Sequence, residues 1–379
     1  MHFELSEEQI MIQQAARDFA QQELKPGVIE RDEHQKFPAE QVKKLGELGF
    51  LGMMVSEKYN GSGLDAISYV LVMEELSKID ASSSVVVSVN NSLVCYGLEA
   101  YGSEAQKEKY LKPLASGEKI GAFCLSEPEA GSDATSQRTT AEDKGDYYLL
   151  NGTKNWITNG STASTYLVIA QTHPKLRHKG INAFIVERGM KGFTIGPKEN
   201  KLGIRGSDTH SLMFNDVKVP KENRIGEDGL GFKFAMKTLE GGRIGIAAQA
   251  LGIAQGAFEL ATQYAKERKS FGKPISEHQA IAFKLADMAT QIEAARLLVY
   301  KAAWLKDQGL PYTQAGSMAK LFASKVAMDV TIEAVQVHGG YGFVKEYHVE
   351  RLMRDAKITQ IYEGTSEIQK MIISREVIR

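Results

Sequence analysis

Apolar residues recur at helical spacing over most of this chain and gather into short runs in its middle third. Ile10, Ile12, Ala16, Phe19, Ala20 and Leu24 share one helical face, which Ser6-Glu7-Glu8-Gln9 opens as a capping box and Pro26-Gly27 closes. Pro38 opens a second helix that runs to Leu48, with Gly49 beyond its end; residues 67–79 and 105–114 repeat the pattern. From about 121 the texture changes to short β-prone runs: Ala122-Phe123-Cys124-Leu125, Tyr147-Tyr148-Leu149-Leu150, 166–170 and 183–186. Residues 143–146, Asn151-Gly152 and Asn159-Gly160 read as the turns between them. Strands without intervening helices predict an antiparallel sandwich or barrel, not a doubly wound sheet.

Helical texture returns at about 226 and persists. No proline lies between Pro220 and Pro274 or after Pro311, so long helices over 230–268, 277–307 and 312–338 are expected to form a bundle. Ser276-Glu277-His278-Gln279 reads as a second capping box. The expected fold is therefore α+β: an N-terminal helical domain (1–120), a central antiparallel β-domain (121–225) and a C-terminal helical bundle (226–379).

Composition narrows the picture mainly by exclusion. At 379 residues the chain exceeds one simple core, and its 43% hydrophobic and 25% charged residues are those of an ordinary soluble protein. A net charge of −1 gives no general attraction to nucleic acid or to an anionic membrane, and neither is expected as a partner. Cys95 and Cys124 are too few and too far apart for a redox pair or a zinc site; no metal is expected, and a reducing compartment suits them. The acidic start, Met1-His2-Phe3-Glu4, has no apolar h-region, so no signal peptide is expected. No apolar run looks long enough for a membrane span. A bacterial cytoplasm follows, or a mitochondrial matrix for a processed form.

Several chemistries lack their motifs. There is no GxGxxG, Walker A sequence, GxSxG elbow or HExxH, which counts against nicotinamide dehydrogenases, P-loop NTPases, α/β-hydrolases and zincins. What is present is a set of polar and aromatic turns. Phe123 to Asp133 leaves a strand for a small-residue loop that offers N–H groups and hydroxyls to a ligand. Trp156 and Thr158 stand two apart on one strand face, where a flat heterocycle could stack and accept a hydrogen bond; a core Trp beside a strand-forming Thr is the commoner reading. Arg268-Lys269-Ser270-Phe271-Gly272 ends a helix, where the cations either complement its dipole or hold a pyrophosphate. Gln336 to Gly342 ends the next with three glycines in four positions, where a C-cap needs one.

Near the C-terminus, Tyr362-Glu363-Gly364-Thr365-Ser366-Glu367-Ile368-Gln369 turns from a buried segment into a helix that Thr365 or Ser366 can cap. Gly364 admits close approach of another group, and a desolvated Glu363 would make a general base. In isolation, a turn with a solvated charge is the commoner reading.

Together these motifs resemble the acyl-CoA dehydrogenase family over essentially the whole chain. The resemblance rests on the N-terminal helix, Ser126-Glu127-Pro128-Glu129-Ala130-Gly131-Ser132-Asp133, Trp156-Ile157-Thr158-Asn159-Gly160, Arg268 to Gly272, the glycine cluster and Tyr362-Glu363-Gly364-Thr365. It implies a C-terminal four-helix bundle, bound FAD, a homotetramer built as a dimer of dimers, and electron-transfer flavoprotein as the electron acceptor. Phe123, Leu125, Ser126 and Ser132, with Trp156, Ile157 and Thr158, would meet the flavin side of FAD. Arg268, Phe271, Gln279, Gln336, Val337, His338, Gly339 and Gly340 would hold its pyrophosphate and adenosine, partly across a subunit interface, and Thr365 and Glu367 would also meet it. Ser132, Glu240, Arg243, Gln249, Tyr362 and Gly364 would contact the substrate.

The resemblance makes Glu363 the catalytic base. It would take the α-proton of an acyl-CoA while the β-hydride leaves to flavin N5, giving the trans-2-enoyl-CoA, with burial raising its proton affinity. Some relatives carry the base just before the arginine that corresponds to Arg243; Gly242 stands there in this chain. Residues 242–255 resemble short-chain members, in which a Gln at Gln249 and a Thr at Thr359 shorten the acyl pocket. A butyryl-CoA-like substrate is expected. Short branched-chain or medium-chain acyl-CoA, a non-catalytic acyl-CoA-binding homologue and an oxygen-using oxidase are the alternatives.

Overall fold

The computed structural model describes residues 4–378; Met1, His2 and Phe3 of the acidic start, and Arg379, lie outside them. Helix α1 (Glu7–Phe19) begins with the predicted capping box, Ser6 accepting from the Gln9 N–H while the Gln9 side chain bonds back. Ala16, Phe19, Ala20 and Leu24 are buried, whereas Ile10 stays 53% exposed outside the core. A π-helical turn, Ala20–Leu24, carries the chain to Gly27. Then come α2 (Val28–Glu33), α3 (Ala39–Glu47) behind Pro38, and α4 (Ala66–Ser77), capped by Asp65.

Helix α5 (Ala81–Ser88) runs through a π-helical stretch, Val89–Cys95, into α6 (Tyr96–Tyr101), where the sequence pattern places no helix. Burial all round explains the omission: Ser82, Ser83, Ser84, Asn90, Asn91 and Ser92 are all inside, so no polar face marks a period. Asn90 Nδ2 instead donates to the carbonyls of Leu51 (2.8 Å) and Leu114 (3.0 Å). Short helices α7 (Glu104–Gln106) and α8 (Lys112–Ala115) complete this part.

The middle part holds β1 (Gly121–Cys124), β2 (Thr140–Asp143), β3 (Tyr147–Thr158), β4 (Thr165–Gln171), β5 (Ile181–Glu187), β6 (Phe193–Lys198), β7 (Thr209–Pro220) and β8 (Arg224–Ile225). They form one sheet in the order β6-β7-β3-β2-β4-β5-β8, with β1 also on β4. Most pairings are antiparallel as expected, but β1 and β2 both run parallel to β4. Parallel pairing needs a long connection, and residues 125–164 supply it for β1 and β4. Asn151-Gly152 is not a turn. It lies inside β3, where the ladder to β7 shifts between Leu150 and Gly152, because Gly152 adopts φ +142° beside Thr139.

Helix α9 (Gly231–Glu267) is followed by a small hairpin, β9 (Lys269–Ser270) and β10 (Lys273–Pro274). After it come α10 (Gln279–Asp307), α11 (Thr313–His338), α12 (His348–Ile358) and α13 (Ser366–Ile378). Ser276 caps nothing. Behind Pro274 residues Ile275–Glu277 form a 3-10 turn, and His278 occupies the N-cap of α10 without a side-chain bond. Helix α9 is the axis of the molecule, packing against α4, α10, α11 and α12 and touching β5. Among the described residues it alone is long and apolar enough to cross a membrane, and 78% of its most apolar stretch is buried inside the fold. It is a core helix by position.

Candidate active site

After α12 the chain cannot continue as a helix, because Glu363 and Gly364 both take positive φ (+54° and +95°). Thr359 is buried and donates back to Ala356 O at 2.7 Å, closing α12. The turn is tied by Ser366 N–H to Gln360 O (3.0 Å) and by buried Gln369, whose Nε2 donates to Gly364 O (2.8 Å). Thr365 is the residue that caps α13, its Oγ1 accepting from the Ile368 N–H. A left-handed glutamate costs roughly 1–3 kcal/mol and persists only where its surroundings over-determine it. Among the described residues, the Glu363 N–H donates to no other group.

The side chain of Glu363 turns inward onto α9. Its Oε2 is inaccessible and has no hydrogen-bond partner. It lies 2.0 Å from where a Cβ on Gly242 would stand, with Leu93 Cδ2 lining the same spot at 2.9 Å. Burial pushes the carboxyl up from 4.5 to about 7; Lys320 and Arg243, both cations, oppose that rise. Arg243 is itself buried, with Nε unpaired, and burial lowers its proton affinity. An unpaired carboxyl poised near neutrality beside two cations can accept a proton at ordinary pH.

Around this point the remaining substrate candidates divide. The Tyr362 hydroxyl donates to Gln249 Oε1, and Gln249 Nε2 donates to Ala81 O and Ser84 Oγ, each at 3.0 Å. Gln249 is completely buried, so its amide is a fixed polar wall. Tyr69 donates to Ser88 Oγ at 3.3 Å, close against Gly245 one turn along α9 from Gly242. Glu240 pairs with Lys237 at 3.0 Å, and Ser132 lies exposed on the loop after β1.

The cofactor candidates fall into three groups. Phe123 packs inward beside Phe234 (ring centroids 6.3 Å), while Leu125 and Ser126 are half-buried at the end of β1. Ser126 O accepts from Asn155 N–H (2.9 Å), which brings the loop against β3. There a second ladder shift, between Lys154 and Ile157, puts Trp156 at φ +62° with 62% of its surface exposed; Ile157 points inward and Thr158 is half-buried. In the second group, Arg268, Val337, His338, Gly339 and Gly340 line one cleft of about 520 Å³ with Tyr264 and Tyr341. Phe271 is at the tip of the β9–β10 hairpin, 94% exposed, and Gln279 and Gln336 are exposed nearby in sequence. Nothing lies within 4 Å of a Cβ built on Gly339 or Gly340, so that edge is open to a ligand. Thr365 and Glu367 line a separate cleft of about 780 Å³ between α11 and α13.

Two sets of residues escape the sequence reading. Lys154 is fully buried, its Nζ bonding Glu127 Oε1 (2.7 Å), Leu125 O (3.0 Å) and Gln137 Oε1 (3.2 Å), so it fastens the Ser126 loop to β3. Burial works against the charge on Glu127, but Lys154 and the N–H groups of Arg138 and Thr139 outweigh it and hold the carboxylate below its ordinary range. Lys320 is the other: a lysine among Gly316, Ser317, Ala319 and Ala323, a break in a small-residue stripe that could have been noticed.

Comparison with known proteins covers all three parts. The family models "Acyl-CoA dehydrogenase, N-terminal domain", "middle domain" and "C-terminal domain" match residues 6–118, 122–217 and 229–378. The chain is 54% identical over 379 residues, spanning 100% of both chains, to the short-chain specific acyl-CoA dehydrogenase of Clostridium acetobutylicum. It superposes on butyryl-CoA dehydrogenase from Megasphaera elsdenii with TM-score 0.98 at 52% identity, covering 100% of each chain. A structure described as the electron transferring flavoprotein of Acidaminococcus fermentans, toward a mechanism of flavin-based electron bifurcation, matches with TM-score 0.99 at 53% identity, again over 100% of each chain.

Proposed function

The chain belongs to the acyl-CoA dehydrogenase family, an FAD-dependent oxidoreductase family, and from that premise we propose that it desaturates a butyryl-CoA-like short-chain acyl-CoA to the trans-2-enoyl-CoA, with Glu363 as the base. The observation that carries this reading is the Glu363 carboxyl, unpaired at Oε2 and pressed over Gly242, where burial raises its proton affinity.

When bound, FAD supplies the acceptor for the β-hydride at flavin N5. The chain's own residues do the rest. Glu363 takes the α-proton onto an oxygen that no other group of the protein competes for. Its free backbone N–H is available to the thioester carbonyl, where it would stabilise negative charge as the α-proton leaves. Gly242 leaves room for the carboxyl where a side chain would displace it. Gln249, held on three sides by Ala81, Ser84 and Tyr362, limits the depth open to an acyl chain, which favours a short one.

The residues present fit FAD. Trp156 offers an exposed indole face at a bulge beside half-buried Thr158 and the Ser126 loop, as a flavin ring requires. The open cradle of Gly339 and Gly340, with Arg268 above the Tyr341 ring (5.6 Å), suits a pyrophosphate and adenosine. Phe271, Phe343 (87% exposed) and Phe283 (60%) leave apolar surface that a homotetramer would cover, with Phe271 reaching a neighbour's cofactor. Electron-transfer flavoprotein is the proposed acceptor of the electrons, and a bacterial cytoplasm the proposed location.

Anaerobic mixing with butyryl-CoA tests the reading through loss of the yellow flavin absorbance. Glu363→Gln should bleach about 10²–10⁴-fold more slowly with flavin content unchanged. Bleaching at the native rate would remove Glu363 from the role.

A further inference from the structure

Helix α11 carries a lysine where its neighbours are small. Gly316, Ser317, Ala319, Ala323 and Ser324 are buried on this helix, with Gly316 close against Ile244 of α9, and Lys320 lies among them with no exposed surface. An ammonium so placed is costly unless it serves a partner. Its Nζ donates to Gly364 O, the carbonyl that also accepts from Gln369 Nε2 at 2.8 Å. Two donors from two helices thus clamp the Gly364–Thr365 peptide, one residue past the left-handed Glu363. The ammonium makes no ion pair with the Glu363 carboxyl, whose Oε2 has no hydrogen-bond partner, but its charge opposes the rise in that group's proton affinity.

We propose that Lys320 is a positioning residue for Glu363: it fixes the Glu363–Gly364 turn through the Gly364 carbonyl and supplies the positive charge that lets the buried carboxyl ionise. This rests on Glu363 being the base. The groups facing Glu363 are Lys320 from α11, Arg243 from α9, Tyr69 from α4 and Tyr362 from the turn itself. Glu367 faces Lys320 from α13. Both tyrosines are held neutral by burial, so Lys320 and Arg243 are the charges that act. Burial lowers the ammonium to about 8, with Glu363 opposing the fall and Arg243 deepening it. Near neutral pH it therefore still carries its charge. Ionisation of Glu363 and the charge on Lys320 support each other.

The test is a set of pH profiles of kcat/KM for butyryl-CoA in the flavin-loaded enzyme. Lys320→Met removes charge and donor; Lys320→Gln keeps a donor for Gly364 without the charge; Lys320→Arg keeps the charge. In Met and Gln the acid limb should move up by about 1–3 pH units, so that activity near pH 7 falls about fivefold or more, and Arg should restore the limb. The thermal midpoint of substrate-free Lys320→Gln should also decline further into the alkaline range than the parent's, because its Glu363 stays protonated to higher pH. A merely structural lysine would lower kcat and leave the limb in place, and that result overturns the proposal. If Met does not fold, Gln decides. An active Glu363→Gln would instead sink the base assignment, whereas an inactive Glu363→Gln with an unmoved limb in Lys320→Gln sinks only the role of Lys320.

Discussion

Glu363 Oε2 and Gly242 share one space: a Cβ on the glycine would stand 2.0 Å from that oxygen. Either position could carry a side chain into this spot, but not both. Gly242→Ala should therefore push the carboxyl aside while leaving α9 at least as helical, since alanine is the better helix former. A displacement of this size is expected to lower kcat about 10²-fold with native circular dichroism and flavin content. A fully active Ala variant would place the carboxyl elsewhere in the working enzyme.

The acidity of Glu363 sets two pH dependences of opposite sense. As a base it works ionised, so kcat/KM for butyryl-CoA should climb with pH and level off above about 7. For stability the sign reverses. The native state holds the Glu363 proton up to about 7 and the unfolded chain only to about 4.5, so stability falls as pH rises between those values. The difference amounts to at most about 3 kcal/mol. Glu363→Gln should remove that slope from the thermal midpoints of the substrate-free protein; an unchanged slope would locate it in other groups.

Gln249 should set chain length. Gln249→Ala deletes the acceptor for Tyr362 and opens the wall beside it. With each buried methylene contributing about 0.8 kcal/mol, two more accommodated carbons should raise the C6-to-C4 ratio of kcat/KM roughly tenfold. Reduction rates across C4, C6 and C8 acyl-CoAs measure this, and an unaltered profile would mean that other residues close the pocket.

Lys154 and Glu127 make a different prediction, because their hydrogen bonds and ion pair are with the Ser126 loop and residues 137–139. Lys154→Met leaves the buried Glu127 carboxylate uncompensated and should cost about 3–5 kcal/mol, read from the denaturant midpoint. The Ser126 loop loses its anchor as well, so flavin should be retained less tightly. Adding Glu127→Gln should recover part of the stability but not the flavin affinity; full recovery of both would deny the loop its anchor.

What was legible in the chain follows from punctuation. The capping box at Ser6 and the three long helices of the bundle stand where capping residues and long proline-free stretches put them, although α9 is buried all round over 241–254. The stretch from α5 to α6 had no such punctuation: buried all round, its serines and asparagines spend their hydrogen bonds inside. The bulges at Gly152 and Trp156 depend on what lies across the sheet, namely Thr139 and β7, and no local signal in β3 records it. At the site, Glu363 and Gly242 were singled out only through the family resemblance, since the motif around Glu363 by itself reads as a turn with a solvated charge. For Lys320 the sequence shows only a charge breaking a small-residue stripe; its partner Gly364 is 44 residues away, and the contact exists only once α11 and α13 have packed.

The φ of +54° at Glu363 bears on how this protein would respond to selection. Glycine would adopt that conformation freely and asparagine with little penalty, and neither would bring a carboxyl into a dry interior. The changes that most relax this turn are therefore the ones that remove the proposed base. A random library at position 363 sorted for heat resistance alone should fill with durable, inert chains, so thermostability and turnover have to be screened together here.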